Sequence, residues 1–155
     1  VLIPALIVVH VLCVVFWIGG VAFVTTVMFP MLQKMDSSFE QVMTFQRVEH
    51  RFARQVRLYL ALVGLTGGLL LYLQGTHRLL FSTQGLGITL MLLAWMWYFL
   101  VLLFERRLFK ALFGRPEKFD TRKVFRGLAI FHWVILGLSL LAVAVGVWQG
   151  HGGAL

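Results

Sequence analysis

The sequence predicts an all-α integral membrane protein, an antiparallel four-helix bundle with both termini on the non-cytoplasmic side. Three observations lead there. Hydrophobic residues make up 60% of the chain and charged residues only 13%. Four apolar runs recur, at roughly 2–32, 58–73, 86–104 and 128–148. All of the fourteen Lys and Arg residues except Arg78 fall either between the first and second runs or between the third and fourth. A hydrocarbon layer about 30 Å thick needs ~20 apolar residues of helix, which these runs and their flanks supply. Cationic connections stay in the cytoplasm, so the two basic loops lie inside and the connection carrying Arg78 lies outside. The acids Asp36, Glu40, Glu49, Glu105, Glu117 and Asp120 share the inner side. A length of 155 residues accommodates one such bundle, so residues 1–155 read as a single four-span domain.

The first run predicts an unbroken helix as far as Phe29-Pro30, where the proline disfavours helical geometry at the residue before it and invites a kink. The run is longer than a signal-peptide core and lacks a basic leader and a small-residue cleavage pattern, which predicts a retained span. Ser37 followed by Glu40 forms a capping box. No Gly or Pro occurs from there to Val63, and apolar residues such as Phe39, Val42 and Phe52 recur at helical spacing. The second helix is therefore expected to start in the cytoplasm and continue into the membrane as one rod ending at Gly75. Within it, Gly64-Leu65-Thr66-Gly67-Gly68 sets small residues four apart, permitting close helix approach and room for a flat cofactor. Residues 75–85 form the short outer connection. The third helix extends inward past Glu105 to a stop at Gly114-Arg115-Pro116, and the fourth opens near Thr121 and closes at Trp148. Short connections make antiparallel neighbours the default.

A net charge of +8 and a pI near 10.6 raise the possibility of nucleic acid. Inner-face topology and attraction to anionic lipid explain the charge instead, so no nucleic-acid partner is expected. Cys13 is the lone cysteine, which excludes a disulfide framework or a cysteine zinc site within the chain and suits a small packing residue. There is no phosphate loop, no serine-histidine-acid set and no carboxylate pair within the spans. Electron transfer or ligand binding is favoured over hydrolysis.

The histidines stand out, because an ionisable group within a span is a functional candidate. Helical rise from the run centres places His10 about 10 Å toward the outer face, His77 and His151 roughly 17 and 19 Å outward, and His132 about 9 Å inward. His50 lies deeper still, on the cytoplasmic extension. His10, His77 and His151 thus approach the outer surface from three different elements. Neutral imidazole ligates haem b and suits copper or zinc as well. His10 paired with His77 or His151 is the expected ligand set, the Gly19-Gly20 and Gly67-Gly68 pairs leave a slot, and Arg78 is placed to hold a haem propionate. His132 differs from His10 by about 19 Å in depth, so it either ligates a second, inner haem or bonds a neighbouring helix. The plainer alternatives are a carbonyl-bonded structural role for His10, solvated loop positions for His77 and His151, and a surface position for His50. Most of the tryptophans suit packing and Trp148 suits an interfacial anchor.

His10-Val-Leu-Cys-Val-Val-Phe-Trp17-Ile-Gly19-Gly20 resembles the first helix of CopD-type copper-resistance membrane proteins and that of HemJ-type protoporphyrinogen oxidases. Arg51-Phe52-Ala53-Arg54 followed by Leu65-Thr66-Gly67 is similar to the CopD-like second helix. The third-helix start, Leu86-Gly-Ile-Thr-Leu-Met, lacks the lysine of the HemJ pattern, and Gly127-Leu-Ala-Ile-Phe-His132 does not reproduce its Asn-Glu-x-Pro element. The resemblance implies a haem- or copper-handling membrane protein, with His10 carried over. The expectation is a b-type cytochrome with one haem, or two if His132 binds the second. Its partners would be the lipid bilayer, a quinone or periplasmic redox protein, and a second copy of the chain, in the inner membrane of a bacterium. Copper transport or handling, and a haem-dependent porphyrinogen oxidase, are the alternatives.

Overall fold

The computed structural model describes residues 1–113 and 120–153, and every regular element among them is helical. The elements run α1 (Leu2–Phe23), a π turn (Val24–Met28), α2 (Phe29–Gln33), α3 (Ser38–Leu73), two 3₁₀ turns (Thr76–Leu79 and Thr83–Gly85), α4 (Leu86–Phe113) and α5 (Thr121–Gly150). Four helical stretches are long and apolar enough to cross a membrane. The expected stop at 114–116, and with it Arg115, Glu117 and Lys118, lies outside the described residues.

The first span departs from expectation. It does not run as regular α-helix to Pro30; the ladder widens earlier, and the Phe29 N–H donates to the Val24 carbonyl five residues back. Pro30 has no N–H, and its ring crowds the carbonyl four residues before it, that of Thr26. A wider turn placed just ahead of the ring relieves that crowding, a common form of π bulge within an α-helix. Hydroxyls supply the donors that a disturbed ladder loses: Thr25 Oγ1 donates to the Val21 carbonyl at 2.7 Å, and Thr26 Oγ1 to that of Ala22 at 2.8 Å. Gln41 Nε2 donates to the Leu32 carbonyl at 2.8 Å, tying the end of α2 to the first turn of α3.

α3 is one rod of 36 residues, about 54 Å long, as the unbroken pattern predicts. Ser37 is its N-cap, with Oγ accepting from the Glu40 N–H at 3.3 Å. Gly75 follows its end at φ +68, a left-handed conformation that glycine adopts without steric cost. Asp120 caps α5 in the same way, its Oδ1 accepting from the Lys123 N–H at 3.2 Å.

α1 packs chiefly on α3, and α4 on α5. The central core joins Cys13, Trp17 and Val21 of α1 to Val56, Leu60 and Val63 of α3, with Tyr98 of α4 and Ile135 and Leu136 of α5. Trp17 meets Tyr98 edge-on, with ring centroids 4.7 Å apart. Trp95 Nε1 donates to the Leu60 carbonyl at 2.8 Å, and its ring lies where a Cβ on Gly64 would come within 2.6 Å of Cζ2. Gln149 at the end of α5 grips the opposite end of its partner helix: Oε1 accepts from the Gly87 N–H and Nε2 donates to the Thr83 carbonyl, each at 2.7 Å. Large apolar side chains such as Phe16, Leu65, Leu103, Trp133 and Leu141 point outward and exposed. An exposed apolar surface this extensive belongs against lipid.

Candidate functional site

The glycines expected to leave a flat slot are mostly filled by neighbours. Gly20 receives the Phe52 ring, Gly64 receives Trp95, and Gly67 faces His10, whose Cε1 would lie 3.0 Å from an added Cβ. Gly19 and Gly68 stay open, and further open space lies beside His132. There a cavity of about 460 Å³ is bounded by the end of α1, the π turn, α3, α4 and α5. Its size falls within the roughly 300–1,000 Å³ typical of ligand sites.

His132 stands at the wall of this cavity, half-buried on α5. Its Nδ1 lies 2.8 Å from the Leu128 carbonyl one turn back. A carbonyl can only accept, so Nδ1 carries the proton and the neutral ring keeps its lone pair on Nε2. Phe29 holds the ring from α2, at 4.8 Å between centroids. The rest of the lining is aliphatic and aromatic, apart from Glu49 and Tyr98, whose hydroxyl lies 3.4 Å from Ser139 Oγ. Met28 brings a thioether from the π turn. Gly127 is also in the wall, and a Cβ added there would meet nothing within 4 Å.

His10 is half-buried where α1 meets α3, with Nδ1 2.9 Å from Thr66 Oγ1. The Thr66 hydroxyl donates its single proton to the Leu62 carbonyl at 2.6 Å, so toward His10 it accepts. His10 is therefore also an Nδ1–H donor with its lone pair on Nε2. Its neighbour on the quoted motif, Trp17, keeps its Nε1 buried without a hydrogen-bond partner among the described residues.

His77 is exposed in the first 3₁₀ turn, Nδ1 3.3 Å from the Leu71 carbonyl, and Arg78 beside it is exposed too. His151 is exposed just beyond α5, with Nδ1 2.8 Å from the Val147 carbonyl. The expected gathering of His10, His77 and His151 does not form a three-donor site: among the described residues no three His, Cys, Asp or Glu side chains group closely enough to hold a metal ion. Helical rise sets depth along an axis and leaves direction around it open. His10 turns into the helix interface, while His77 and His151 fold back onto their own chain. His50 is exposed on α3. Sequence reasoning singled out His132 but missed the cavity, along with Glu49, Tyr98, Met28 and Gly127 in its walls. Thr66 lay within the small-residue stretch that was singled out, though for packing and not as a hydrogen-bond partner.

No protein-family model matches the chain, and neither a curated protein nor a solved structure is significantly similar to it. The expected resemblance to CopD-type and HemJ-type proteins therefore rests on the quoted motifs alone.

Proposed function

We propose that the protein is a multi-pass membrane cytochrome of the b type, with haem b held in the inner cavity on His132. The observation that supports this reading most is an imidazole at the wall of an apolar intramembrane cavity, its Nδ1–H fixed by a backbone carbonyl and its Nε2 free to ligate. Metal-bound histidines are held in this manner by a hydrogen bond on the opposite nitrogen. Haem asks for one or two axial ligands, an apolar slot and cations for its propionates. Arg126 and Lys123, exposed on α5 next in sequence to the cavity residues Val124 and Gly127, are the cations that would meet the propionates, Lys123 by leaving Asp120, which it now pairs at 3.5 Å. Bound haem supplies one-electron chemistry. The chain itself orients the imidazole, lines the slot and keeps water from it.

His10 is the second haem position of this proposal; His77 or His151 would join it, with Arg78 toward a propionate, by leaving the Leu71 or Val147 carbonyl that its ring now meets. The bundle is antiparallel, with basic loops in the cytoplasm and both termini outside, in the inner membrane of a bacterium. A quinone or a periplasmic redox protein exchanges electrons with it. Copper handling calls for clustered donors, and the described residues offer no group of three. Haem needs fewer, and so is preferred.

The test is a reduced-minus-oxidised visible spectrum of the purified protein. Wild type is expected to show sharp α and β bands, His132→Ala to lose them, and His132→Gly to regain them with added imidazole. A colourless protein that retains copper sinks the cytochrome reading. Bands untouched by His132→Ala but abolished by His10→Ala move the haem to the outer site and remove the inner assignment.

A further inference from the structure

A second opening, unconnected with the haem reading, lies on the lipid-facing side where α1 meets α3. It is a cleft of about 450 Å³. Gly19 lies in its α1 wall, and a Cβ there would meet nothing within 4 Å, so the cleft is open to whatever lies beside the helix. Apolar side chains of α1, Phe16 and Phe23 among them, make the rest of that wall. The opposite wall is different. Arg51, Gln55 and Tyr59 of α3 all line it, spaced four residues apart and therefore stacked on one helix face at intervals of about 6 Å. No side-chain hydrogen bond or ion pair joins Arg51, Gln55 or Tyr59 to another described residue. The Tyr59 ring is held flat by Phe16, with centroids 5.7 Å apart and planes 16° from parallel.

An apolar trough with a ladder of donors on one side, cationic at the end nearest the basic connection, has the polarity profile of a glycerophospholipid. A phosphodiester fits the Arg51 guanidinium and the Gln55 amide, which donate in the manner of charge-assisted phosphate contacts. One turn deeper, the Tyr59 hydroxyl is set to donate to an ester carbonyl of the glycerol backbone. An acyl chain then lies along the trough past Gly19. We propose that this cleft binds one anionic glycerophospholipid from the leaflet on the Arg51 side. The positive charge selects an anionic headgroup, and the depth of the donor ladder selects a lipid over a free anion.

The full chain, purified and delipidated in detergent, is titrated with phosphatidylglycerol and followed by native mass spectrometry. Wild type is expected to retain one lipid, and phosphatidylcholine to bind more weakly. Arg51→Ala should weaken retention about tenfold, the scale of one charge-assisted hydrogen bond. Gly19→Leu, whose Cβ would meet nothing within 4 Å, should block the acyl chain while leaving the charge in place. Arg54→Ala, exposed on α3 and outside the cleft, should bind as wild type does. Far-ultraviolet circular dichroism checks that each variant keeps its helicity. Equal retention by Arg51→Ala and Gly19→Leu overturns the site, as does an equal loss in Arg54→Ala, which would mark diffuse attraction. Inorganic phosphate competing as well as lipid would leave a bare anion site and overturn the lipid assignment.

Discussion

His10, His77, His132 and His151 share one feature: each presents Nδ1 to an oxygen that accepts, and so leaves the lone pair on Nε2. For the last three the oxygen is a main-chain carbonyl. His10 is held by a side chain of another helix, which makes it the most exposed to mutation. Thr66→Val keeps the shape but removes the acceptor. The expected cost is about 0.6 kcal/mol and at most ~1.7, the range for interhelical hydrogen bonds within membranes. Thr66→Ser keeps the hydroxyl and should recover most of the loss, as read from the thermal midpoint in detergent. If Val and Ser at this position melt alike, the His10 contact adds nothing to stability. The candidate residues were legible as types, since histidines are conspicuous in apolar spans. Their surroundings were not, because a cavity formed by five separate elements has no local signature in any of them.

Signals confined to a few neighbouring residues were read most faithfully. The Ser37 cap, the uninterrupted α3 and the turn at Gly75 each follow from local chemistry, and each is present. The π turn was not legible, because Phe29-Pro30 marks a disturbance on its N-terminal side without saying whether the helix kinks or widens there. A π bulge amounts to one extra residue in an α-helix, so deleting Val27, exposed within the turn, should restore a regular ladder and keep most of the fold. Deleting Val11 from the body of α1 rotates everything before it by about 100° and should abolish folding. Recovery of folded protein distinguishes the two, and equal loss would count against the bulge. The α4–α5 contact gives a second contrast. A Cβ on Gly87 meets the Gly146 backbone at 2.6 Å, whereas a Cβ on Gly146 meets only the tip of the flexible Met91. Gly87→Ala should cost about 1–3 kcal/mol, the usual range for overpacking, and Gly146→Ala less. Chemical denaturation in mixed micelles measures both.

For the whole molecule, orientation rests on charge, and charge is separable from packing. The helices would pack identically whichever way up they were inserted; what breaks the tie in the proposed arrangement is that Arg78 alone falls between the second and third apolar runs, while the other thirteen Lys and Arg fall between the first and second or the third and fourth. The single native cysteine, buried Cys13, makes this testable with little background. In a Cys13→Ser chain, Ser82→Cys places a thiol in the short connection beside Arg78, and Ser37→Cys places one at the start of α3, among the basic connections. A membrane-impermeant maleimide applied to intact spheroplasts should label Ser82→Cys at once and Ser37→Cys only after permeabilisation. The reverse pattern would invert the bundle and place the His132 cavity in the outer half. Labelling of both without permeabilisation would mean mixed insertion, and adding Lys to the outer connection should then shift the mixture further from the proposed orientation. The two orientations assign the electron partners of the proposed cytochrome to opposite compartments, so this measurement decides which side of the membrane each partner reaches it from.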